Sequence, residues 1–455
     1  MENKIEAFSL KMKDAGLSEN VINNFRRHYQ QLIEGNTGKL SRNDIEAPNR
    51  LNLISYDSLT KKDDSLLNKL AVIKLNGGLG TGMGLEKAKS LLPVKGELNF
   101  LDILANQTMA LRAKYQTNMP LILMNSYNTQ ADSLKALEKY KELKIDGLGL
   151  DFLQNKYPRI KQEDFSLTTF ADDDQNWNPP GHGDIYSALL TSGLLDKLLE
   201  KNYKYAFISN SDNLGAVIDP LILTYMDKQD VPFIMEVCRR TEMDSKGGHL
   251  AQTKEGKLIL REVAQCPEEE MAEFQDIKKY CYFNTNNLWI NLQKLKATLL
   301  ENNNFLNLPL IVNPKVVENT PVYQIETAMG SAISVFENAK AIVVPRSRFA
   351  PVKKTDDLLL IWSDVYKINS DYQIILTEGL DVAPTIELDP EYFKTVEQLK
   401  NRFKEVPSLI QCNSLRIVGN LFFGKDVVIV GDVVIKSAEK ERISDAILNN
   451  EEVTF

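Results

Sequence analysis

Histidine and cysteine are the scarce residues of this 455-residue chain, which holds three of the first and four of the second. His28, His182 and His249 never stand at ligand spacing on one helix, which excludes a zinc protease or a zinc deaminase. Cys238, Cys266, Cys281 and Cys412 are widely scattered and form no CxxC pair. The sequence therefore offers no zinc site and reads as a reduced, cytoplasmic protein. Any metal should then be a hard cation held by oxygen, such as Mg²⁺. No apolar run approaches the roughly 18 residues that a membrane span requires. The N-terminal MENKIEAFSLKMKDAG has no continuous apolar core and does not read as a signal peptide. Positive charge is also in deficit: 54 Lys and Arg face 62 Asp and Glu, for a net −8. That balance argues against a nucleic-acid partner and against an anionic membrane surface.

The remaining composition is that of an ordinary soluble protein, 43% apolar and 25% charged. At roughly 150 residues per domain, the length suggests about three domains. Residues 1–60 read as a helical lead-in. Val21, Ile22, Phe25 and Tyr29 recur at helical spacing after Ser18, a suitable N-cap. From about residue 69 the rhythm changes to strand, loop, helix. Leu70–Leu75, Pro120–Met124, Tyr205–Ile208, Val231–Val237 and Ala341–Pro345 read as strands, with a helix over about 99–115 after the first. This alternation predicts an α/β fold with a mostly parallel sheet covered on both faces. In such sheets the loops beyond the carboxyl ends of the strands build the site. Here they carry Gly, Asn, Ser and Asp. In the tail, Ile417-Val418-Gly419-Asn420 is echoed by Ile429-Val430-Gly431-Asp432, two hexapeptides further on. That spacing fits two coils of a β-helix or an ordinary pair of strands equally well. Pro384 and Pro407 bracket a linker helix before them.

Five glycines crowd the segment LNGGLGTGMGLEKAKS: Gly77, Gly78, Gly80, Gly82 and Gly84. Glycine permits positive φ and lets backbone N–H groups close on an anion. No register satisfies G-x-G-x-x-G, and a P-loop ending in Lys89-Ser90 fails at Met83 and Ala88. A nucleotide loop of another type is the reading that remains.

That loop and its AKS resemble the signature of the eukaryotic-type UTP–glucose-1-phosphate uridylyltransferases. Further blocks follow in family order over about 70–435. They are Leu123-Met124-Asn125-Ser126, Gln154 before Tyr157-Pro158-Arg159-Ile160, Pro179-Pro180-Gly181-His182-Gly183-Asp184, and Asn210-Ser211-Asp212-Asn213. Lys246-Gly247-Gly248, Phe283-Asn284-Thr285-Asn286-Asn287, Pro345-Arg346-Ser347-Arg348-Phe349 and Pro351-Val352-Lys353 complete the set. The resemblance implies a Rossmann-like mixed-sheet nucleotidyltransferase domain over 61–385, after the helical region 1–60. A linker helix and a short left-handed β-helix would fill 386–455, and any oligomer contact would lie there.

The implied reaction joins UTP and glucose 1-phosphate into UDP-glucose and pyrophosphate. A sugar-phosphate oxygen attacks the α-phosphorus in line, assisted by Mg²⁺, and the reaction is reversible. Two anions must meet, so positioning and cationic clamps carry the chemistry and no side-chain nucleophile is needed. By resemblance, Lys89 and Lys353 are the catalytic lysines, Lys353 being held between apolar residues. Asp212 holds the metal and contacts UTP. Leu75, Asn76, Gly77 and Gly78 cradle the base and ribose, Gln154 bonds the uracil edge, and Met124 either packs on the base or is a core methionine at a strand end. Gly181 and His182 serve the phosphate side, while Asn210, Gly248, Glu262 and Asn286 bond sugar hydroxyls. Asp172-Asp173-Asp174 and Lys354 read as solvated, and His249 as packing or surface. The chain departs from the family at Ala88, where many members have a proline that would fix φ. The blocks would also suit a relative using galactose 1-phosphate or an N-acetylhexosamine 1-phosphate. A non-catalytic nucleotide-sugar sensor is a third reading, against which Lys89, Asp212 and Lys353 stand together.

Overall fold

The structure, a computed structural model, describes residues 2–245 and 247–455. Lys246 lies outside the described residues.

The core of the molecule is one mixed sheet. Its main path is built from β1 (Ile54–Ser55), β2 (Leu70–Asn76), β3 (Leu121–Asn125), β4 (Asp151–Leu153), β5 (Tyr205–Asn210), β6 (Phe233–Arg239), β7 (Tyr282–Asn291) and β8 (Lys340–Val343). The spatial order is β1-β8-β6-β7-β5-β2-β3-β4. All neighbours run parallel except β7, which is antiparallel to both β6 and β5. The sheet is therefore mixed, as the family resemblance implied. A short strand at Ile45–Glu46 and the hairpin of His249–Thr253 and Leu258–Arg261 extend it at one side.

The sequence of β2 explains its place. Ala71 and Ile73 pack into one apolar cluster and Leu70 and Val72 into another. A strand covered on both faces needs such an unbroken apolar run. One covering element is α3 (Phe100–Tyr115). It starts at a capping box in which Asn99 Oδ1 accepts from Asp102 N at 2.9 Å and Asp102 Oδ2 accepts from Asn99 N at 3.1 Å. It stops where Gln116 turns to φ 50°. The lead-in forms α1 (Glu2–Asp14) and α2 (Glu19–Ile33). Ser18 caps α2, and Val21, Ile22, Phe25 and Tyr29 are buried as the helical spacing required. Phe8, Phe25 and Tyr157 form a ring cluster that ties both helices to the body.

In the tail, strands β9 (Thr385–Leu388), β10 (Ser408–Phe423), β11 (Val427–Ile443), β12 (Ala446–Asn449) and β13 (Glu452–Thr454) pair only in parallel. Two short helices, Pro390–Phe393 and Val396–Arg402, precede β10 where the linker helix was expected. Register corrects the spacing read from the sequence. Ile417 pairs with Ile435, not with Ile429, so the paired strands are offset by three hexapeptides rather than two. The two IVG segments thus do not pair with each other.

A buried ion pair ties the middle of the sheet to the segment after β8. Glu236, fully buried on β6, accepts from Arg348 Nε at 2.8 Å and Nη2 at 2.6 Å, from Asn287 Nδ2 at 3.0 Å and from Trp289 Nε1 at 2.8 Å. Removing one member of such a pair strands the other charge without water. Glu236→Ala is expected to lower the free energy of unfolding by about 3–5 kcal/mol. Denaturant titration measures this, and a loss under about 1 kcal/mol would show that the pair does not hold the fold.

Candidate functional site

Chain order reverses between β2 and β5. From β2 the chain moves to β3 and β4 on one side, then returns to β5 on the other. In an open α/β sheet the crevice at such a reversal, beyond the carboxyl ends of the strands, is the usual place for a ligand. The glycine loop leaves β2 at Asn76, and the Ser211–Leu214 turn leaves β5 at Asn210, paired in register with Leu75. Ser211 N donates to Leu75 O at 3.0 Å and fixes the two exits together.

Lys89 and Asp212 meet across this crevice, Nζ to Oδ2 at 2.6 Å. Both side chains are partly exposed, 15% and 21%, so the pair sits at the rim where a ligand can reach it. Backbone folding sets Lys89 there: its N–H donates to Gly78 O at 3.0 Å, which closes the glycine loop on itself. Gly80 and Gly84 adopt φ 70° and 73°, which side-chain-bearing residues seldom take. Ala88 stands at φ −51°, close to the value a proline would impose, so the turn keeps its course without one.

Asn76 is nearly fully buried and its side chain is committed. Its Nδ2 donates to Asn125 Oδ1 at 2.7 Å and Ser133 Oγ at 2.8 Å, and its Oδ1 accepts from Ser211 Oγ at 3.1 Å. It ties together the end of β3, the helix Gln130–Leu137 and the Ser211 turn, leaving only its backbone for a ligand. Met124 is 2% exposed and belongs to the main core. Gln154 N donates to Asn125 O at 2.8 Å, and its Nε2 donates to Gly181 O at 3.1 Å. Its Oε1 lies on the Gly77 side, 3.0 Å from where a Cβ on that residue would stand.

Gly181 has φ 77°, and a Cβ there would strike the Thr327 backbone. This explains the glycine before His182. Met329 N donates to His182 Nδ1 at 2.9 Å. The Nδ1 is thereby an acceptor, so the neutral ring carries its hydrogen on Nε2 and can donate there. Burial pulls this imidazole down to about 4, so it is neutral near pH 7.

On the other side, Gly248 packs directly against the Glu262 carboxylate. Burial pushes that carboxyl up to about 7, with Lys353 pulling it back. Asn286 sits at φ 59°, its N–H bonded to Asn284 Oδ1 at 2.9 Å and its Oδ1 accepting from Asn284 Nδ2 at 2.8 Å. The β6–β7 register shifts just here. Such an irregularity inside a sheet re-aims side chains beside sites.

Lys353 differs from the expectation. It is exposed rather than held between apolar residues, with only Val352 beside it fully buried. Its Nζ lies 5.3 Å from the Phe349 ring centroid, and its backbone N donates to Asp357 Oδ2 at 2.7 Å. Val352 N donates to Asp212 O at 3.2 Å, so the Lys353 segment borders the Lys89–Asp212 pair although its ammonium touches neither. Lys354 is exposed, as expected. Asp172 and Asp174 are exposed too, while Asp173 bonds Lys11 Nζ at 2.6 Å and Trp177 Nε1 at 3.0 Å. His249 is buried against Tyr280, ring centroids 3.9 Å apart. Among the described residues, no three His, Cys, Asp or Glu side chains gather to hold a metal by themselves. No described helix is long and apolar enough to cross a membrane.

Two acidic groups escaped the sequence reading. Asp184 is 4% exposed, and burial raises its carboxyl to about 7 against the opposing bonds from Asn155. Glu236 is the other. The available signal was a lone carboxylate inside the apolar run FIMEVC, where a charge must have a partner.

The UTP–glucose-1-phosphate uridylyltransferase family model matches residues 22–430. The enzyme of that name from Solanum tuberosum is 41% identical over 98% of this chain and 95% of its own. The one from Encephalitozoon cuniculi is 39% identical over 93% and 85%. Among solved structures, a point mutant of UDP-glucose pyrophosphorylase from Leishmania major, in complex with UDP-glucose, superposes with a TM-score of 0.95. It is 41% identical, and the match covers 100% of this chain and 99% of that one. UDP-glucose phosphorylase from Trypanosoma brucei gives 0.91 at 43% identity, with both chains fully covered.

All three imidazoles are held low by burial: His28 and His182 to about 4, His249 to about 3. None should gain a proton between pH 5.5 and 8. Histidine-selective NMR is expected to show no titrating ring in that window, and a midpoint near 6.5 for any of them would contradict the packing described.

Proposed function

The chain belongs to the UTP–glucose-1-phosphate uridylyltransferase family, and we propose that it performs this transfer in the crevice beyond β2 and β5. It joins UTP and glucose 1-phosphate into UDP-glucose. The observation that carries the site is the Lys89–Asp212 pair at the switch point of the sheet.

The bond changes are simple. An oxygen of the sugar phosphate forms a bond to the α-phosphorus of UTP as the bond to the bridging β-phosphate oxygen breaks. Pyrophosphate departs opposite, and the reverse reaction runs through the same arrangement. The residues divide the work by charge. Lys89 exchanges its carboxylate partner for a nucleotide phosphate. Lys353, unencumbered at the surface, swings towards the charge that builds on the α-phosphate, as a flexible ammonium on a long stem can. Backbone groups of Leu75, Asn76, Gly77 and Gly78 border the base and ribose. Gln154 Oε1 accepts from the uracil N3–H. His182 Nε2–H donates to an anionic oxygen, and Asn210, Glu262, Asn286 and the Gly248 backbone take the sugar hydroxyls.

Asp212 is one carboxylate with substrate phosphates expected beside it. That donor set fits Mg²⁺, which usually takes one or two carboxylates and completes its shell with phosphate oxygens and water. When bound, the ion would neutralise phosphate charge. Four buried free cysteines agree with a reducing, cytoplasmic setting. For the organisation of the chain, we read 1–60 as the helical region, 61–385 as the catalytic unit and 386–455 as the tail. The tail's parallel register and apolar interior support a short left-handed β-helix.

Purified protein given UTP, glucose 1-phosphate and Mg²⁺ should release pyrophosphate, and none released would sink the proposal. Lys353→Ala should cut kcat by about 10²–10³-fold, the scale of a lost transition-state contact, with UTP affinity nearly kept. Asp212→Asn should raise the Mg²⁺ concentration needed for half-maximal rate, and an unaltered metal requirement would reassign that ligand.

A further inference from the structure

Asp184 has no part in the proposed transfer, yet it closes a ring of bonds around the residue assigned to the base. Its carboxylate accepts from Asn155 N at 2.7 Å through Oδ2 and from Asn155 Nδ2 at 2.9 Å through Oδ1. Its own backbone N donates to Gly181 O at 3.2 Å. That same carbonyl accepts from Gln154 Nε2 at 3.1 Å. The path Gln154–Asn155–Asp184–Gly181–Gln154 is therefore closed by four hydrogen bonds and one peptide link. On its other side Gln154 N is tied to Asn125 O at 2.8 Å.

A carbonyl oxygen can only accept, so Gly181 O holds the nitrogen end of the Gln154 amide. The oxygen end is left for the ligand. Uracil offers an N3–H that such an oxygen can take, whereas cytosine presents an unprotonated N3, which would face lone pair to lone pair. Discrimination between the bases thus depends on the amide not turning over. Two elements set that orientation: the Gly181 carbonyl, and the placement of residue 154 relative to it. Asp184 grips both.

We infer that Asp184 is a positioning residue for base selection, clamping Asn155 against Gly181 so that Gln154 presents its oxygen to uracil. The inference rests on the assignment of Gln154 to the base. A buried carboxylate is apt for this role. With 4% exposure it is shielded from water, and two N–H groups converging on two oxygens fix both distance and angle.

The test compares kcat/KM for UTP and CTP. Asp184→Asn leaves one acceptor oxygen and puts an NH₂ against the Asn155 donors. It is expected to lower the UTP over CTP ratio by about tenfold, the worth of roughly 1.4 kcal/mol, mainly through KM for UTP, with kcat changed less than about threefold. The exchange Asp184→Asn with Asn155→Asp lets residue 184 accept the backbone N–H of residue 155 and donate to its new carboxylate. It should restore most of the ratio, which a general loss of stability would not allow. If Asp184→Asn does not fold, Asn155→Ala removes one donor at a partly exposed position and should shift the ratio in the same direction. Gln154→Ala separates the clamp from the base assignment. If it lowers the ratio while folded Asp184→Asn and Asn155→Ala leave it unchanged, the clamp is overturned and Gln154 stands. If Gln154→Ala itself leaves the ratio unchanged, the base assignment falls and the clamp falls with it.

Discussion

The buried carboxylate of Glu236 is the constraint from which the site's geometry follows. Its four donors come from Arg348, Asn287 and Trp289, and Arg348 also reaches Val217 O at 2.9 Å. Asn213 extends the network, with its Nδ2 on Asn287 Oδ1 at 3.1 Å and its Oδ1 accepting from Ala350 N at 2.9 Å. One polar cluster thereby fixes the turn that carries Asp212, the irregular stretch of β7 that carries Asn286, and the segment that leads to Lys353. An uncompensated charge in that position would cost more than any one contact returns. The cluster therefore fixes these three segments relative to one another. The proposed transfer, which would have to place phosphates to within a fraction of an ångström, needs such a fixed frame.

The net negative charge of the chain first reads as hostile to anionic partners. The structure shows how little the total matters over a few ångströms. Lys89 is paired at 2.6 Å, and Lys353 stands free at the surface over an aromatic ring. Screening confines each charge to its neighbourhood, about 8 Å at physiological ionic strength. What the −8 excludes is a long polyanion, which would meet the whole surface. In the proposed site a nucleoside triphosphate would meet only the rim of the crevice. The histidines fit the same economy. Held neutral by burial, they are poor proton carriers near pH 7: His182 accepts from Met329 N, and His249 packs against Tyr280.

Much of the fold was legible because its strands are short apolar runs ending in Gly, Asn or Asp. Leu70–Leu75 and Tyr205–Ile208 appear where the pattern placed them, each extended by a residue or two of the polar exit. The order of strands in the sheet was not legible, since it depends on contacts far apart in sequence. In the tail, the IVG echo was real but its geometry was misread. Pairing of Ile417 with Ile435 depends on contacts between strands, which the echo alone does not reveal. At the site, residue types announced the chemistry but not the commitments of side chains. Nothing in Asn76-Gly77 says that this asparagine is consumed by three neighbours. Nothing in Pro-Val-Lys says that the lysine faces solvent. Nothing in Gly-His-Gly-Asp assigns a task to Asp184, because its partner Asn155 belongs to a distant stretch of the chain.

The tail's apolar interior reaches further than its own turns. Leu415, Ile417, Val433 and Ile435 share one continuous cluster with Met83 of the glycine loop, Leu214 beside Asp212 and Val352 beside Lys353. At the far end of the glycine loop, Gly84 lies against Thr395, the N-cap of the helix that leads into the stack. The three segments that carry the charged groups are thus seated on a single footing. A displacement of the C-terminal strands would therefore disturb all three at once.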